Sequence, residues 1–179
     1  VIEIGAVKIE NGRIREHFQQ LMNPGIRISP FIENLTGITN SMLRDAPHSD
    51  DIMNRFADFI EGYNLVAHNA TFDKRFLYAE LNRIRRIYNG RVVCSMEISK
   101  KVYSDISNHK LGNLIVHKNI PTFGAPHRAL SDSVMAAKLW LIMISEIGDE
   151  YNISPISFSL MQELSRKKEL AVEAFLQRR

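Results

Sequence analysis

The chain has 179 residues, 45% of them hydrophobic and 24% charged, which is the composition of a soluble globular protein with one domain of ordinary size. The longest apolar stretch, residues 139–144, is far too short to span a bilayer, so we expect no membrane association. The formal net charge of +3 is compatible with a polyanionic partner such as nucleic acid but does not require one.

The first residues of the chain predict a β-hairpin. Val1–Glu10 is rich in β-branched residues, and Asn11-Gly12 is a strong hairpin signal because both residues tolerate positive φ. A second strand is expected over Arg15–Met22, and the Pro24-Gly25 pair ends it. Residues 29–47 are interpreted as a loop with short helical turns.

Strands and helices alternate along the middle of the chain. Apolar residues recur at helical spacing in several places, and short apolar runs between them suit buried strands. In chain order the predicted elements are a helix over Asp50–Glu61, a strand over Asn64–His68, a helix over Thr71–Arg86, a strand over Arg91–Cys94, and helices over Lys110–Lys118 and Ala129–Ile147. This order predicts a mixed α/β sheet flanked by helices.

The character of the sequence changes after Gly148, where an amphipathic region with many charges begins. We therefore divide the chain into a domain over residues 1–148 and a C-terminal helical extension over residues 149–179. The apolar face of the extension is expected to pack against its own domain, since amphipathic faces are normally buried at home. A helix that binds a partner protein is the alternative.

The chain contains one cysteine, Cys94, so it cannot form an internal disulfide. Its N-terminus lacks the succession of basic, apolar and small residues that is typical of a secretory signal. Both features favour a reduced, cytoplasmic setting.

Two polar segments carry the residue types needed for hydrolytic chemistry. In His68–Asp73, a carboxylate follows the end of a predicted strand, where ligands usually bind in α/β sheets. Asp73 is by itself equally well explained as an acid that stabilises the first turn of a helix. In His127–Asp132, a histidine that can take a proton precedes an aspartate that can hold a hard cation. Alone, this pair is better explained as an exposed histidine and a helix-capping acid.

These segments resemble the DEDD superfamily of exonucleases in its DEDDh form, the branch that includes the proofreading subunit of bacterial replicative polymerases. Five segments resemble the family in the expected order and spacing over residues 1–147. They are Val1–Val7 for the strand after the first motif, Leu35–Thr39 for the segment along the terminal nucleotide, His68–Asp73 for the second motif, Lys110–Leu114 for the helix before the third motif, and His127–Asp132 for the third motif.

The resemblance implies a ribonuclease H-like fold, with a mixed five-stranded sheet flanked by helices. In that fold the first strand is central and carries an Asp-x-Glu motif with two metal-binding carboxylates. No such motif is present in this sequence, and the first strand would precede Val1. We expect the native protein to have a further N-terminal segment with this strand, and metal binding and catalysis to be lost without it.

The resemblance also implies the chemistry of the site. In the family, four carboxylates hold two divalent cations, Mg²⁺ or Mn²⁺, and Asp73 and Asp132 match two of the four. His127 matches the general base that takes a proton from the attacking water. The residues that match contacts with the 3′-terminal nucleotide are Phe31, Leu35, Thr36, Ile38 and Asn69.

The function implied is 3′→5′ hydrolysis of single-stranded DNA ends, by a stand-alone enzyme or by the proofreading partner of a DNA polymerase catalytic subunit. An exoribonuclease of the RNase T or oligoribonuclease type is the nearest alternative, because discrimination rests on contacts to the 2′-hydroxyl group in variable loops. A catalytically inactive nucleic-acid-binding module is a second alternative, supported by the absence of the first motif alone.

Overall fold

The computed structural model describes residues 1–122 and 128–179. Its strands are β1 (Glu3–Glu10), β2 (Arg13–Leu21), β3 (Leu65–Ala67) and β4 (Val92–Cys94). Its α-helices are α1 (Pro30–Thr36), α2 (Asn40–Arg44), α3 (Ser49–Phe59), α4 (Ala70–Arg83), α5 (Ser95–Val102), α6 (Leu111–His117), α7 (Ala129–Tyr151), α8 (Phe158–Arg166) and α9 (Val172–Leu176), with a 3₁₀ turn at Glu169–Ala171. Within the two described ranges, no helix has the length and apolar character needed to cross a bilayer.

The predicted hairpin is confirmed. β1 and β2 pair antiparallel, with Glu3 opposite Leu21 and Glu10 opposite Arg13. The turn between them consists of Asn11 and Gly12, whose φ angles are 51° and 72°. These left-handed conformations are the ones that the Asn-Gly pair adopts at low cost.

The strands form two separate pairs rather than one sheet. β3 and β4 are parallel, with Leu65 opposite Val92, and within residues 1–122 and 128–179 neither of them pairs with β1 or β2. The presence of both antiparallel and parallel pairing agrees with the predicted mixture of strand directions. Because the two pairs are separate, the described strands do not form the predicted five-stranded sheet.

Helix α7 connects the two strand pairs, because it packs against both β1 and β3. It runs from Ala129 to Tyr151, four residues past the predicted end at Ile147. Gly148 does not stop the helix. The helix ends instead at Asn152, which adopts a left-handed φ of 53° and donates its amide to the Gly148 carbonyl. The division of the chain at residue 148 stays a prediction.

The buried side chains form two clusters, one for each strand pair. The hairpin packs against α3 and α4 through Phe18, Met22, Ile52, Met53, Phe56 and Leu81. β4 packs against α5, α6, α7 and the C-terminal helices through a larger set that includes Val93, Ile98, Leu114, Trp140, Met143, Met161, Leu164 and Leu176. The apolar face of the C-terminal region thus packs on the rest of the same chain.

Candidate active site

The segment with Asp73 is a tight turn between β3 and α4. β3 ends at Ala67 and α4 begins at Ala70, so only His68 and Asn69 connect them. Asn69 makes the turn with a left-handed conformation, φ 68° and ψ 48°, and its exposed side chain forms no hydrogen bond to the helix. The Ala70 amide donates to the Cys94 sulfur at 3.4 Å, which attaches the start of α4 to the end of β4.

Asp73 lies in the first turn of α4, in an environment that disfavours its charge. Partial desolvation by the surrounding protein raises the pKa of its carboxyl group, and a hydrogen bond with its own backbone amide only partly offsets this effect. In the described part of the chain, no cationic side chain pairs with it. Because the residue is exposed to solvent, water screens the carboxylate and limits the desolvation. A carboxylate in this position is suited to bind a cation.

His68 stabilises the turn through hydrogen bonds made by both of its ring nitrogens. Its Nε2 lies 2.7 Å from the His109 carbonyl oxygen, so Nε2 carries the proton and donates it. Its Nδ1 lies 3.0 Å from Oγ of Ser95, a side chain with no exposed surface. Desolvation lowers the pKa of His68, which favours the neutral imidazole. His68 therefore connects the end of β3 to α5 and to the loop before α6.

Asp132 lies in the first turn of α7, and its amide donates to the Arg128 carbonyl at 3.0 Å. Its side chain is half-buried. The start of α7 is placed by β1. A Cβ atom on Gly5 would lie 2.3 Å from the Ala129 carbonyl carbon, so only glycine allows this approach of helix and strand.

Glu3, on β1, also contacts the start of α7. Its carboxylate lies 2.8 Å from Arg128 Nη2 and accepts the Ala129 amide at 2.9 Å. Burial acts to raise the pKa of Glu3, but hydrogen bonds from Arg128 and the Ala129 amide outweigh burial, and the pKa is lowered. Sequence reasoning assigned no role to this pair, although a single charge within the apolar Val-Ile-Glu-Ile strand was a signal for it.

His127 lies outside the described residues, so its predicted role as a general base stays a prediction. The predicted site residues outside α1 and the turn after it fall in two regions. Asp73 and Asn69 are at the start of α4, and Asp132 is at the start of α7; both helices contact β3. Neither region alone makes a complete metal site, because the described residues contain no cluster of three or more histidine, cysteine or acidic side chains.

The predicted nucleotide-binding segment is α1 and the turn that follows it. Phe31 and Leu35 are 70% and 43% exposed, so both offer apolar surface to a ligand. Thr36 is engaged by its neighbours, because its hydroxyl donates to the Ile32 carbonyl at 2.8 Å. Ile38 has only 1% of its surface exposed, so a contact with a nucleotide would use its main chain.

An aromatic pair beside Asp73 is exposed on α4. Phe72 and Phe76 are 62% and 40% exposed, and their ring centroids lie 4.8 Å apart. The signal in the sequence was their spacing of four residues around a carboxylate. Such a surface is suited to stack on nucleobases.

The carboxylates of Asp73 and Asp132 are hard oxygen ligands of the kind that Mg²⁺ and Mn²⁺ prefer. Among the described residues no cationic side chain pairs with Asp73, and a bound ion would compensate its partly desolvated charge, so this residue fits such an ion.

Comparison with known proteins identifies the family. The sequence model of the RNase T exonuclease family matches residues 1–140. The chain is 37% identical over 175 residues to the DNA polymerase III PolC-type of Caldanaerobacter subterraneus subsp. tengcongensis, covering 96% of this chain and 12% of that protein. It is 35% identical over 153 residues to the PolC-type polymerase of Bacillus subtilis, covering 84% and 10%. The chain thus spans about a tenth of the length of these relatives.

Solved structures with a similar fold are also exonucleases. Exonuclease X, in a complex with 5′ overhanging duplex DNA, has a TM-score of 0.73 at 24% identity, over 92% of this chain and 90% of that chain. A 3′-exonuclease that recognises a histone mRNA stem-loop has a TM-score of 0.71 at 22% identity, over 81% and 72%. At this identity the likeness shows the fold, which is ribonuclease H-like. By its family match over residues 1–140, the chain belongs to the RNase T exonuclease family.

Proposed function

We propose that this chain forms the catalytic unit of a metal-dependent 3′→5′ exonuclease that removes nucleotides from single-stranded DNA ends. The observation that carries the proposal is Asp73, a desolvated carboxylate with no cationic partner in the described chain, in the first turn of a helix that follows a parallel strand. Asp132 occupies the corresponding first turn of α7.

In this proposal Asp73 and Asp132 are two of four carboxylates that hold two divalent cations, Mg²⁺ or Mn²⁺. Bound in pairs, such ions supply a nucleophilic hydroxide and stabilise the attacking and leaving oxygens of a phosphodiester. The proposed role of His127 is to take the proton of the attacking water. Histidine suits that role because its pKa lies near neutral pH.

The other two carboxylates would come from a strand between β1 and β3. Among the described residues the two strand pairs share helix α7 but do not pair with each other, and unpaired backbone groups at their inner edges would be costly without such a strand. With it, the sheet would have five strands.

The terminal nucleotide is proposed to bind between the two helix starts and α1. Phe31 and Leu35 offer exposed apolar surface, and the exposed amide of Asn69 is available for hydrogen bonds. Thr36 and Ile38 would contribute through the turn that they form. The Phe72–Phe76 pair would stack on the bases further along the strand.

DNA is proposed as the substrate, and a polymerase as the partner, because the most similar relatives reported above are named DNA polymerase III PolC-type. Proofreading needs an exonuclease and a polymerase to act on the same primer end. The chain would supply the exonuclease to a polymerase catalytic subunit or to a polymerase domain.

The test is a time course with the full-length protein on a 5′-labelled single-stranded DNA oligomer and on an RNA oligomer of the same sequence, in Mg²⁺ or Mn²⁺. Asp132→Asn and His127→Ala variants and an EDTA sample accompany the wild type. Asp149→Asn is the matched control, since Asp149 is an exposed acid at the other end of α7.

We expect a DNA ladder that shortens from the 3′ end, that persists in Asp149→Asn and that is lost in the other variants and in EDTA. Faster degradation of RNA than of DNA would favour the exoribonuclease alternative. Failure to degrade either oligomer with metal present would contradict the proposal and favour an inactive nucleic-acid-binding module.

A further inference from the structure

The Glu3 side chain is a buried acceptor surrounded by donors from two elements. Only 5% of it is exposed. Nη2 of Arg128 lies 2.8 Å from Oε1 of Glu3. Nε of Arg128 lies 3.2 Å from both Oε1 and Oε2 of Glu3. The Ala129 amide donates at 2.9 Å and the Gln19 side-chain amide donates at 2.9 Å. A carboxylate can accept all of these hydrogen bonds at once, and a carboxamide cannot.

Glu3 also accepts a capping hydrogen bond from the start of α7. Arg128 occupies the N-cap position, and its side chain makes no capping hydrogen bond to the helix. The first amide of the helix, that of Ala129, is satisfied by the Glu3 carboxylate on another element. A negative charge at this end of a helix is also favoured by the helix dipole.

A second contact fixes the same turn two residues further along β1. The Ser133 hydroxyl lies 2.8 Å from the Gly5 carbonyl oxygen and 2.7 Å from the Ala129 carbonyl oxygen. With Gly5 in direct contact with the helix backbone, the first turn of α7 has little freedom to move along β1.

We propose that Glu3 and Arg128 are positioning residues that set the cation affinity of Asp132. The Asp132 amide is bonded to the Arg128 carbonyl, so a shift of Arg128 displaces the turn that carries the Asp132 carboxylate. The pair acts through this turn and is not itself a metal ligand. The inference rests on the proposed function, because it requires Asp132 to bind a cation.

The arrangement predicts which substitutions disturb the turn. In Glu3→Gln, the new amide group faces the donors of Arg128 or of the helix, so at least one hydrogen bond is replaced by a repulsive contact. In Arg128→Met the aliphatic stem is kept and the charge is lost. The double variant has neither charge, so it separates loss of the positioning contact from the effect of one unpaired buried charge.

The experiment measures the dissociation constant of Mn²⁺ in the full-length protein, from the electron paramagnetic resonance signal of free Mn²⁺. The samples are wild type, Glu3→Gln, Arg128→Met, the double variant and Glu16→Gln. Glu16→Gln is the matched control, because it removes an ion pair with Lys8 at 3.1 Å from the same hairpin. The Tm and the exonuclease rate at saturating Mn²⁺ are measured for each sample.

We expect the dissociation constant to rise by about 10- to 100-fold in Glu3→Gln, Arg128→Met and the double variant, as for other residues that orient metal ligands. We expect it to be unchanged in Glu16→Gln, and excess Mn²⁺ to restore most of the exonuclease rate of the variants. Wild-type Mn²⁺ affinity in the single and double variants, whether or not the Tm falls, would show a structural role only and overturn the inference. A wild-type protein that neither binds Mn²⁺ nor degrades DNA would instead contradict the proposed function, and the inference with it.

Discussion

Asp73 is partly desolvated, and among the residues that the structure describes no cationic side chain pairs with it. The surrounding protein desolvates it, which raises the pKa of its carboxyl group, and its described hydrogen-bond partner is its own amide. An acid retained only to stabilise the first turn of α4 would gain from full solvation or from a basic neighbour. The exposed Asn69 beside it is likewise not used to cap the helix. The proposal that both residues contact a ligand accounts for these features.

Replacing Asp73 by asparagine should abolish activity without destabilising the metal-free protein. A raised folded pKa means that the native state binds more protons than the unfolded state, so stability falls as pH rises above the ordinary value of 3.8. In EDTA at pH 7 we expect Asp73→Asn to be as stable as wild type or more stable, with no such difference below pH 3.8. Exonuclease activity should fall by more than about 100-fold, because even residues that only orient metal ligands contribute about 10- to 100-fold. Urea unfolding at several pH values and the DNA time course measure the two effects; a variant with wild-type activity would exclude Asp73 as a ligand.

His68 should make stability depend on pH in the opposite sense. Desolvation lowers its folded pKa below the ordinary 6.5, so the unfolded state binds more protons as pH falls. The stabilising contribution is fully present above pH 6.5 and is lost as pH falls through the folded pKa. We expect His68→Gln to flatten the pH dependence of the free energy of unfolding below pH 6.5. The exposed His17 gives the control His17→Gln; an equal effect in both variants would mean that His68 is not the source.

At the residue scale, the sequence identifies the two acids but not the contacts that place them. Asp73 and Asp132 stand out because each lies near the start of a predicted helix and follows a histidine, His68 or His127, by five residues. The pair Glu3–Arg128 joins residues that are 125 positions apart, and no local pattern predicts a contact at that separation. The contacts of His68 with Ser95 and His109 also join distant positions, so the sequence does not predict them either.

Among the elements, those with a strong local signal are predicted well and one without it is missed. The Asn11-Gly12 turn and the helices with regular apolar spacing are present close to their predicted bounds. Helix α5 was not predicted, because two positions on its buried face are the serines Ser95 and Ser99, whose polarity breaks the apolar spacing. Gly148 lies within α7, where the chain folds back over it, with the Ile153 carbonyl oxygen 3.1 Å from the position of a Cβ atom. A side chain at this position would need the Ile153 carbonyl to move by a few tenths of an ångström.

The C-terminal helices should contribute to the stability of the whole chain. Leu164 on α8 is fully buried, whereas Leu170 in the following turn is fully exposed, at 101%. We expect Leu164→Ala to lower the free energy of unfolding by about 2–5 kcal/mol, because it leaves a cavity in the larger core. Leu170→Ala is the control and should change it by less than about 0.5 kcal/mol. Equal, small effects in urea unfolding would mean that the C-terminal helices are not docked on the core in solution.

In the whole molecule, α7 is a helix that packs against both strand pairs. It contacts β1 of one strand pair and β3 of the other, and its start carries Asp132. The class of fold follows from the order of strands and helices in the sequence. The separation of the strands into two pairs does not, since strand pairing depends on contacts between distant residues.

Asp73 and Asp132 are proposed to belong to one metal centre. The most direct measurement is anomalous X-ray diffraction from crystals of the full-length protein grown with Mn²⁺. We expect manganese bound by carboxylate oxygens of both Asp73 and Asp132, with the signal lost in Asp73→Asn. Manganese bound only elsewhere, or two carboxylates too far apart to share a metal centre, would contradict it.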